Sequence, residues 1–198
     1  MGPDGGSVRL SLLAVLLISV AGVASAADVG GVKLNERTEL GASELILNGA
    51  GLQRRVFFKV YVAGLYLTEK KGSPADVLAL DGPKRVSITM MRNLPTLKLV
   101  EALENGIGKN CSPEEREAVK DRVETLAATL RALRQARAGD VLTFDWLPDA
   151  GTLVALNGEA KGSAIPGDDV YRALLRVWLG DQPTNAGLKR ALLGQTQG

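Results

Sequence analysis

The chain has 198 residues, with 24 Lys and Arg against 22 Asp and Glu and a formal net charge of +2. Basic residues interspersed with acids in this way argue against an electrostatic nucleic-acid binder. Histidine is absent and cysteine occurs once, which excludes Ser-His-Asp and Cys-His nucleophiles, histidine- or thiolate-held zinc, and any intrachain disulfide.

At the N-terminus Arg9 precedes "LSLLAVLLISVAGVA", an apolar run of secretory length, and the small residues Ala24, Ser25 and Ala26 follow. A membrane span needs roughly 20 apolar residues, so a cleaved signal over 1–26 is the expectation and an uncleaved anchor the rival. The remaining residues, 27–198, suit one domain with a sizeable core. The protein is expected to be exported to the periplasm and to meet the membrane only through its signal segment before cleavage.

"VKL" and "ELILN" between Val32 and Leu47 read as two strands joined by a turn. "NGAG" is expected to bend the chain into a strand from Phe57 to Leu67. That strand is apolar on both faces, as a central strand covered on both sides would be. "PADVLAL" reads as a short helical turn, and "KRVSITMMR" alternates as a strand with Val86, Ile88 and Met90 on one face. A helix is expected to start near Pro95 and bury Val100, Leu103 and Ile107. The next helix has a full start signal, with Ser112 as cap, Pro113 in the first turn and Glu115 at capping-box spacing. Its seam of Val119, Val123, Leu126, Leu130 and Leu133 fits packing on the sheet better than a partner helix, and Gly139 is its expected end. "DVLTFDWLP", "GTLVALNG" and "EAKGSAIPG" form a predicted three-stranded meander. Asp168 or Asp169 would cap a helix burying Val170, Leu174, Val177 and Trp178, and "AGLKRALLG" closes the chain. Antiparallel runs with helices grouped between them define an α+β layer structure.

Several residues are candidates for chemistry, and no cofactor is expected. "NGAG" precedes a strand rather than a helix, so a turn explains it better than a phosphate cradle. Gln53, Arg54 and Arg55 come next. Adjacent arginines usually face opposite sides of an extended chain, so one inward guanidinium could anchor an anionic head group, while two solvated arginines are the plain alternative. Lys59 and Tyr61 are two apart, which strict alternation places on one face, either lining a pocket or snorkelling to water. Cys111, just before a helix, is a candidate thiolate or an inert side chain.

The stretches "LNGAGLQRRVFFKVYVAGLYL", "GDVLTFDWLPDAGTLVALNGEAKGSAIPGDD" and "LLRVWLGDQPTNAGLKRALLG" resemble the bacterial exported branch of the chalcone isomerase-like family. The resemblance implies a large antiparallel sheet covered by a layer of helices, an open-faced sandwich with a ligand cleft between the layers. For catalytic members it implies an arginine after the glycines, a threonine in the long strand, a tyrosine and an asparagine on a helix, and a late threonine. This chain departs from that set. Gln53 stands at the arginine, with Arg54 able to slide into its place. Tyr61 stands at the strand threonine, Leu97 near the tyrosine, Glu104 or Asn105 near the asparagine, and Val177 at the last threonine. Removing one oxyanion donor costs about 2.7–4 kcal/mol of transition-state stabilisation, so ring-closing chemistry is not expected.

The family also holds non-catalytic fatty-acid binders that grip the carboxylate with an arginine and a tyrosine. The leading expectation is therefore a non-catalytic binder of a fatty acid or other small amphipathic acid, with Gln53, Arg54, Arg55, Lys59, Tyr61, Leu97, Asn105 and Val177 at its site. Two alternatives stand beside it: an intramolecular lyase acting on an enone through Arg54 and Tyr61, and an interaction protein whose cleft is filled.

Overall fold

The computed structural model describes Gly2 and residues 26–195; apart from Gly2 and Ala26, the expected signal segment lies outside the described residues. In chain order the strands and helices are β1 (Ala26–Val29), β2 (Val32–Asn35), β3 (Arg37–Leu40), β4 (Ser43–Arg55), β5 (Phe58–Leu67), α1 (Pro74–Ala79), β6 (Lys84–Met90) and β7 (Leu94–Pro95). They continue with α2 (Thr96–Asn110), α3 (Pro113–Ala132), β8 (Gln135–Ala136), β9 (Val141–Leu147), β10 (Gly151–Leu156), β11 (Glu159–Ile165), α4 (Asp168–Leu179) and α5 (Ala186–Leu192). Seven strands form one antiparallel sheet in the order β11-β10-β9-β6-β5-β4-β3, and the architecture is α+β.

The main core lies between the sheet and the helices. Ala63, Leu65 and Leu67 of β5, Val86, Ile88 and Met90 of β6, and Leu142, Phe144 and Trp146 of β9 meet the buried stripes of α2, α3 and α4. A smaller core on the opposite face holds Leu34, Leu45, Leu47, Val62 and Tyr66, with Ala27, Val29 and Val32 of the β1–β2 hairpin packed against it. β5 is thus covered on both faces, as its continuous apolar sequence requires.

Two expected turns are placed differently. "VKL" lies in β2 and pairs with β1, whereas "ELILN" lies in β4 and pairs with β3. The partners β1 and β3 are four-residue strands of mixed polarity, too short to show a period in sequence. "NGAG" does not bend the chain but runs through the middle of the 13-residue β4. Its glycines serve the approach of α5. A Cβ on Gly49 would fall 2.8 Å from Leu192 O and Gly194 N, and one on Gly51 2.7 Å from Ala191 Cβ. Asn48, the extra residue in a β4 bulge, donates to Leu192 O at 2.8 Å and accepts from Lys71 N at 2.7 Å, tying the α5 end to the loop after β5. The turn itself falls at Val56 and Phe57, between paired Arg55 and Phe58.

α3 carries the expected capping box: Ser112 Oγ accepts from Glu115 N at 3.2 Å and Glu115 Oε2 from Ser112 N at 2.9 Å. It stops at Ala132 rather than running to Gly139, because Arg134 takes a φ of 60° and the chain leaves as β8 to pair with β7. The α4 cap is Gly167 rather than an aspartate. Asp168 and Asp169 sit in the first turn, where negative charge favours the helix dipole, and Asp169 Oδ2 also accepts from Arg122 Nη2 at 2.7 Å.

The glycine contacts give a stability test. Gly51→Ala forces a methyl group into Ala191 and Leu188, and overpacking of that kind costs about 1–3 kcal/mol. Gly108→Ala on α2 meets nothing within 4 Å and is expected to gain up to about 1 kcal/mol from helix propensity. Urea unfolding of the two variants should move the midpoint in opposite directions.

Candidate functional site: a cleft between β5 and α2

The site depends on one extra residue in β5. Leu52 pairs with Val62 and Gln53 with Tyr61, but Arg54 then pairs with Lys59, so Val60 is bulged. A bulge re-aims the side chains beside it. Val60 and Tyr61 both turn to the helix side, where they join the main core. Lys59 leaves by the opposite face, and its Nζ donates to Gly30 O in the β1–β2 turn at 3.2 Å. The expectation that Lys59 and Tyr61 share a face is therefore corrected; strict alternation does not survive the bulge.

A cleft of about 610 Å³ opens beside Tyr61, bounded by β5, the 92–95 segment and the start of α2. Its floor is Gln53, Val60, Tyr61 and Leu99, and its exposed rim carries Arg55, Val56, Phe58, Arg92 and Lys98. Deeper between the layers is a second space of about 40 Å³, lined by Ile88, Leu103, Phe144, Leu174, Val177 and Trp178. Tyr61, Leu99, Ala102 and Thr184 line both. The inner space holds about one water molecule by volume and has apolar walls. A cationic rim, an apolar floor and a few polar groups between them suit an elongated molecule with one charged end.

The Tyr61 phenol is 8% exposed and accepts a hydrogen bond from Trp178 Nε1 at 3.0 Å. Burial pushes it up to about 12 from the usual 10.0, against the opposing hydrogen bonds of Trp178 and Thr184. At neutral pH it is a protonated phenol, a donor rather than a base. Gln53 Nε2 donates to Arg54 O at 3.2 Å, whereas its Oε1 is buried without a partner. Unpaired buried oxygens are uncommon and call for an explanation.

The eight predicted positions separate clearly. Gln53, Arg55 and Tyr61 line the cleft, and Val177 lines the inner space, pressed against α2 where Gly106 leaves no room for a Cβ. Arg54 is exposed and lines neither space, and Lys59 is on the far face. Leu97 and Asn105 are exposed on α2, off the stripe of Val100, Leu103 and Ile107 that α2 buries, and line neither space. Glu104, the other candidate beside Asn105, accepts from Arg131 Nη2 at 2.9 Å. Sequence reasoning missed Arg92, Lys98 and Thr184, and it read Trp178 only as core. The indole carried a usable signal, because a buried Trp N–H needs an acceptor.

Other concave surfaces are less suited to a ligand. On the opposite face, a space of about 450 Å³ holds Tyr66, Thr143 and the pair Arg85–Asp145. The guanidinium clasps the carboxylate at 2.6 and 2.7 Å, so the two charges neutralise each other. Cys111 is half-buried at the α2–α3 junction, 3.7 Å from Arg176 Nη1, and lies outside the cleft.

An antiparallel sheet under a helical layer, with a largely apolar cleft between them, defines an α+β architecture. The chain belongs to the chalcone isomerase-like family, whose model matches residues 26–194. Among solved structures it is similar to a fatty-acid binding protein of Arabidopsis thaliana, with a TM-score of 0.62 and 14% identity over 82% of this chain and 92% of that one. At that identity the likeness carries the fold. No curated protein sequence matches the chain.

The phenol yields a pH prediction. Tyr61 is raised in the folded state relative to an unfolded tyrosine near 10.0, so its contribution to stability is complete below pH 10 and is lost as pH rises towards about 12. Tyr66 and Tyr171 are raised by burial in the same direction. Urea midpoints measured from pH 8 to pH 11 should fall above pH 10, and Tyr61→Phe should make that fall shallower.

Proposed function

We propose that the protein is an exported, non-catalytic carrier of a fatty acid or similar amphipathic acid, held in the cleft beside Tyr61. The observation that carries this reading is the cleft's polarity. A largely apolar floor continues inward past a buried phenol to an apolar-walled space, and the cations that line the cleft stand at its rim. An acyl chain would lie along Val60, Leu99 and Ala102, with its carboxylate towards Arg55 and Arg92. Tyr61 is placed to donate, and Gln53 presents a partnerless oxygen to a hydroxyl or protonated carboxyl, or two N–H donors if the amide is turned over. The fatty-acid binding protein of similar fold adds support by analogy of architecture.

Against catalysis stands the replacement of the donors that the family's catalytic members carry. Ring closure of a chalcone needs a cation on the attacking phenolate and several donors on the developing enolate. By the resemblance, Gln53, Tyr61 and Val177 stand where catalytic members carry an arginine and two threonines, and Leu97 and Asn105 line neither space. Export is supported by Arg9, the apolar run after it and the small residues before Ala27. Recovery from the periplasm of a chain beginning at Ala27 would verify it.

Mass spectrometry of lipid released from the purified protein is expected to find a fatty acid. Charge-assisted hydrogen bonds contribute about 1.5–3 kcal/mol, so Arg55→Glu should weaken retention by roughly tenfold or more. Val60→Trp should block the cleft, and Asn105→Ala should change nothing. Full retention by both Arg55→Glu and Val60→Trp, with native unfolding curves, would rule the cleft out. Measurable turnover of a chalcone panel, lost in Tyr61→Phe, would favour the lyase instead.

A further inference from the structure

We propose that the tip of the β4–β5 hairpin is a docking surface for a bilayer containing anionic lipid. Among the described residues the large hydrophobic side chains left exposed are Val56 at 77%, Phe57 at 90%, Phe58 at 61% and Leu97 at 54%. Three are consecutive and form the hairpin end, and the fourth is in the first turn of α2, next to the cleft-lining Lys98. The fold gains little burial from these side chains, and least from Phe57. The turn is also strained. Val56 holds a φ of 55°, a conformation that β-branched residues avoid and glycine takes freely. A protein that only needed to connect two strands would be better served by polar and glycine residues here.

The charge around the tip is of one sign. Arg54, Arg55 and Lys59 flank it on the hairpin, and Arg92 lies over the Phe58 ring, 4.9 Å from its centroid. None of these four cations takes part in an ion pair among the described residues. A convex apolar wedge ringed by unpaired cations matches a bilayer surface, where rings enter the interfacial zone and guanidinium groups meet phosphates. A second copy of the chain is a poor occupant, because tip-to-tip contact would bring eight cations together. A protein partner would need an acidic pocket shaped to the wedge, whereas lipid conforms to it. No described helix is long and apolar enough to span a membrane, and the attachment proposed at the tip is peripheral. Val56 and Phe58 also line the cleft. Docking therefore turns the cleft mouth towards the lipid, a consequence that rests on the carrier reading, whereas the docking itself does not.

Every described strand and helix lies within residues 26–195, so the test uses a chain beginning at Ala26, free of the apolar N-terminal run. It is sedimented with phosphatidylcholine vesicles and with vesicles in which roughly a third of the lipid is phosphatidylglycerol. Binding is expected to the anionic vesicles only and to weaken with salt. Phe57→Ser, and separately Arg54→Glu with Arg55→Glu, should each reduce it at least about tenfold, with urea unfolding curves that remain cooperative. Phe57→Trp should show blue-shifted emission on vesicles and quenching by brominated lipid. Absence of binding, or binding that ignores both tip variants, overturns the proposal and leaves an acidic protein surface as the rival occupant. A concentration-dependent dimer lost on Phe57→Ser overturns it in favour of self-association. Fatty acid retained by a chain that binds no vesicle sinks this inference and spares the carrier; vesicle binding by a chain that carries no acid supports it and sinks the carrier.

Discussion

The organisation of this protein hangs on the register between β4 and β5. One more residue on β5 than on β4, Val60, decides which side of the sheet the residues around it serve. Were the same residues to run as a regular strand, strict alternation would put Lys59 on the helix side with Tyr61 and turn Val60 to the other face. With the bulge, the cation is sent to the β1–β2 hairpin and two adjacent side chains, one aliphatic and one phenolic, line the same wall. The bulge and the cleft are therefore one feature, because the surplus residue both widens the strand's helix face and keeps it apolar.

The layers are held by close approach more than by polar bonding. α5 settles on β4 where Gly49 and Gly51 leave the backbone bare, and α4 settles on α2 where Gly106 does the same beneath Val177. Polar groups enter chiefly as fasteners at the margins, such as Asn48 between β4 and α5 and the Arg122–Asp169 fork between α3 and α4. The helical layer is thus tightly seated over the centre of the sheet. Towards the β4–β5 turn, the rim side chains Arg55, Val56, Phe58, Arg92 and Lys98 leave an open mouth instead.

Much of this was legible in the residues, and the failures have physical causes. Periodic segments such as β6, the meander β9–β11, and the α3 start with its Ser112–Glu115 box were readable because each rests on local pattern. The role of "NGAG" was not, since glycines that make a turn and glycines that admit a helix look alike until α5 is placed on them. Nor was the side taken by Lys59, because a bulge is a property of two strands and one strand's sequence cannot announce it. Within the site, Tyr61, Gln53 and Arg55 were found through their strand. Arg92 and Thr184 arrive from segments distant in sequence, the second across more than a hundred residues, and no spacing rule joins them to Tyr61.

The missing imidazole has a consequence for how the cleft responds to acid. Histidine is the side chain whose ordinary titration lies near neutrality, and this chain has none, while the phenol in the cleft is pushed the other way. The cleft therefore has no imidazole to act as an acid trigger. On the carrier proposal, release on mild acidification would fall to the fatty acid's own proton, or to the company its carboxylate keeps outside.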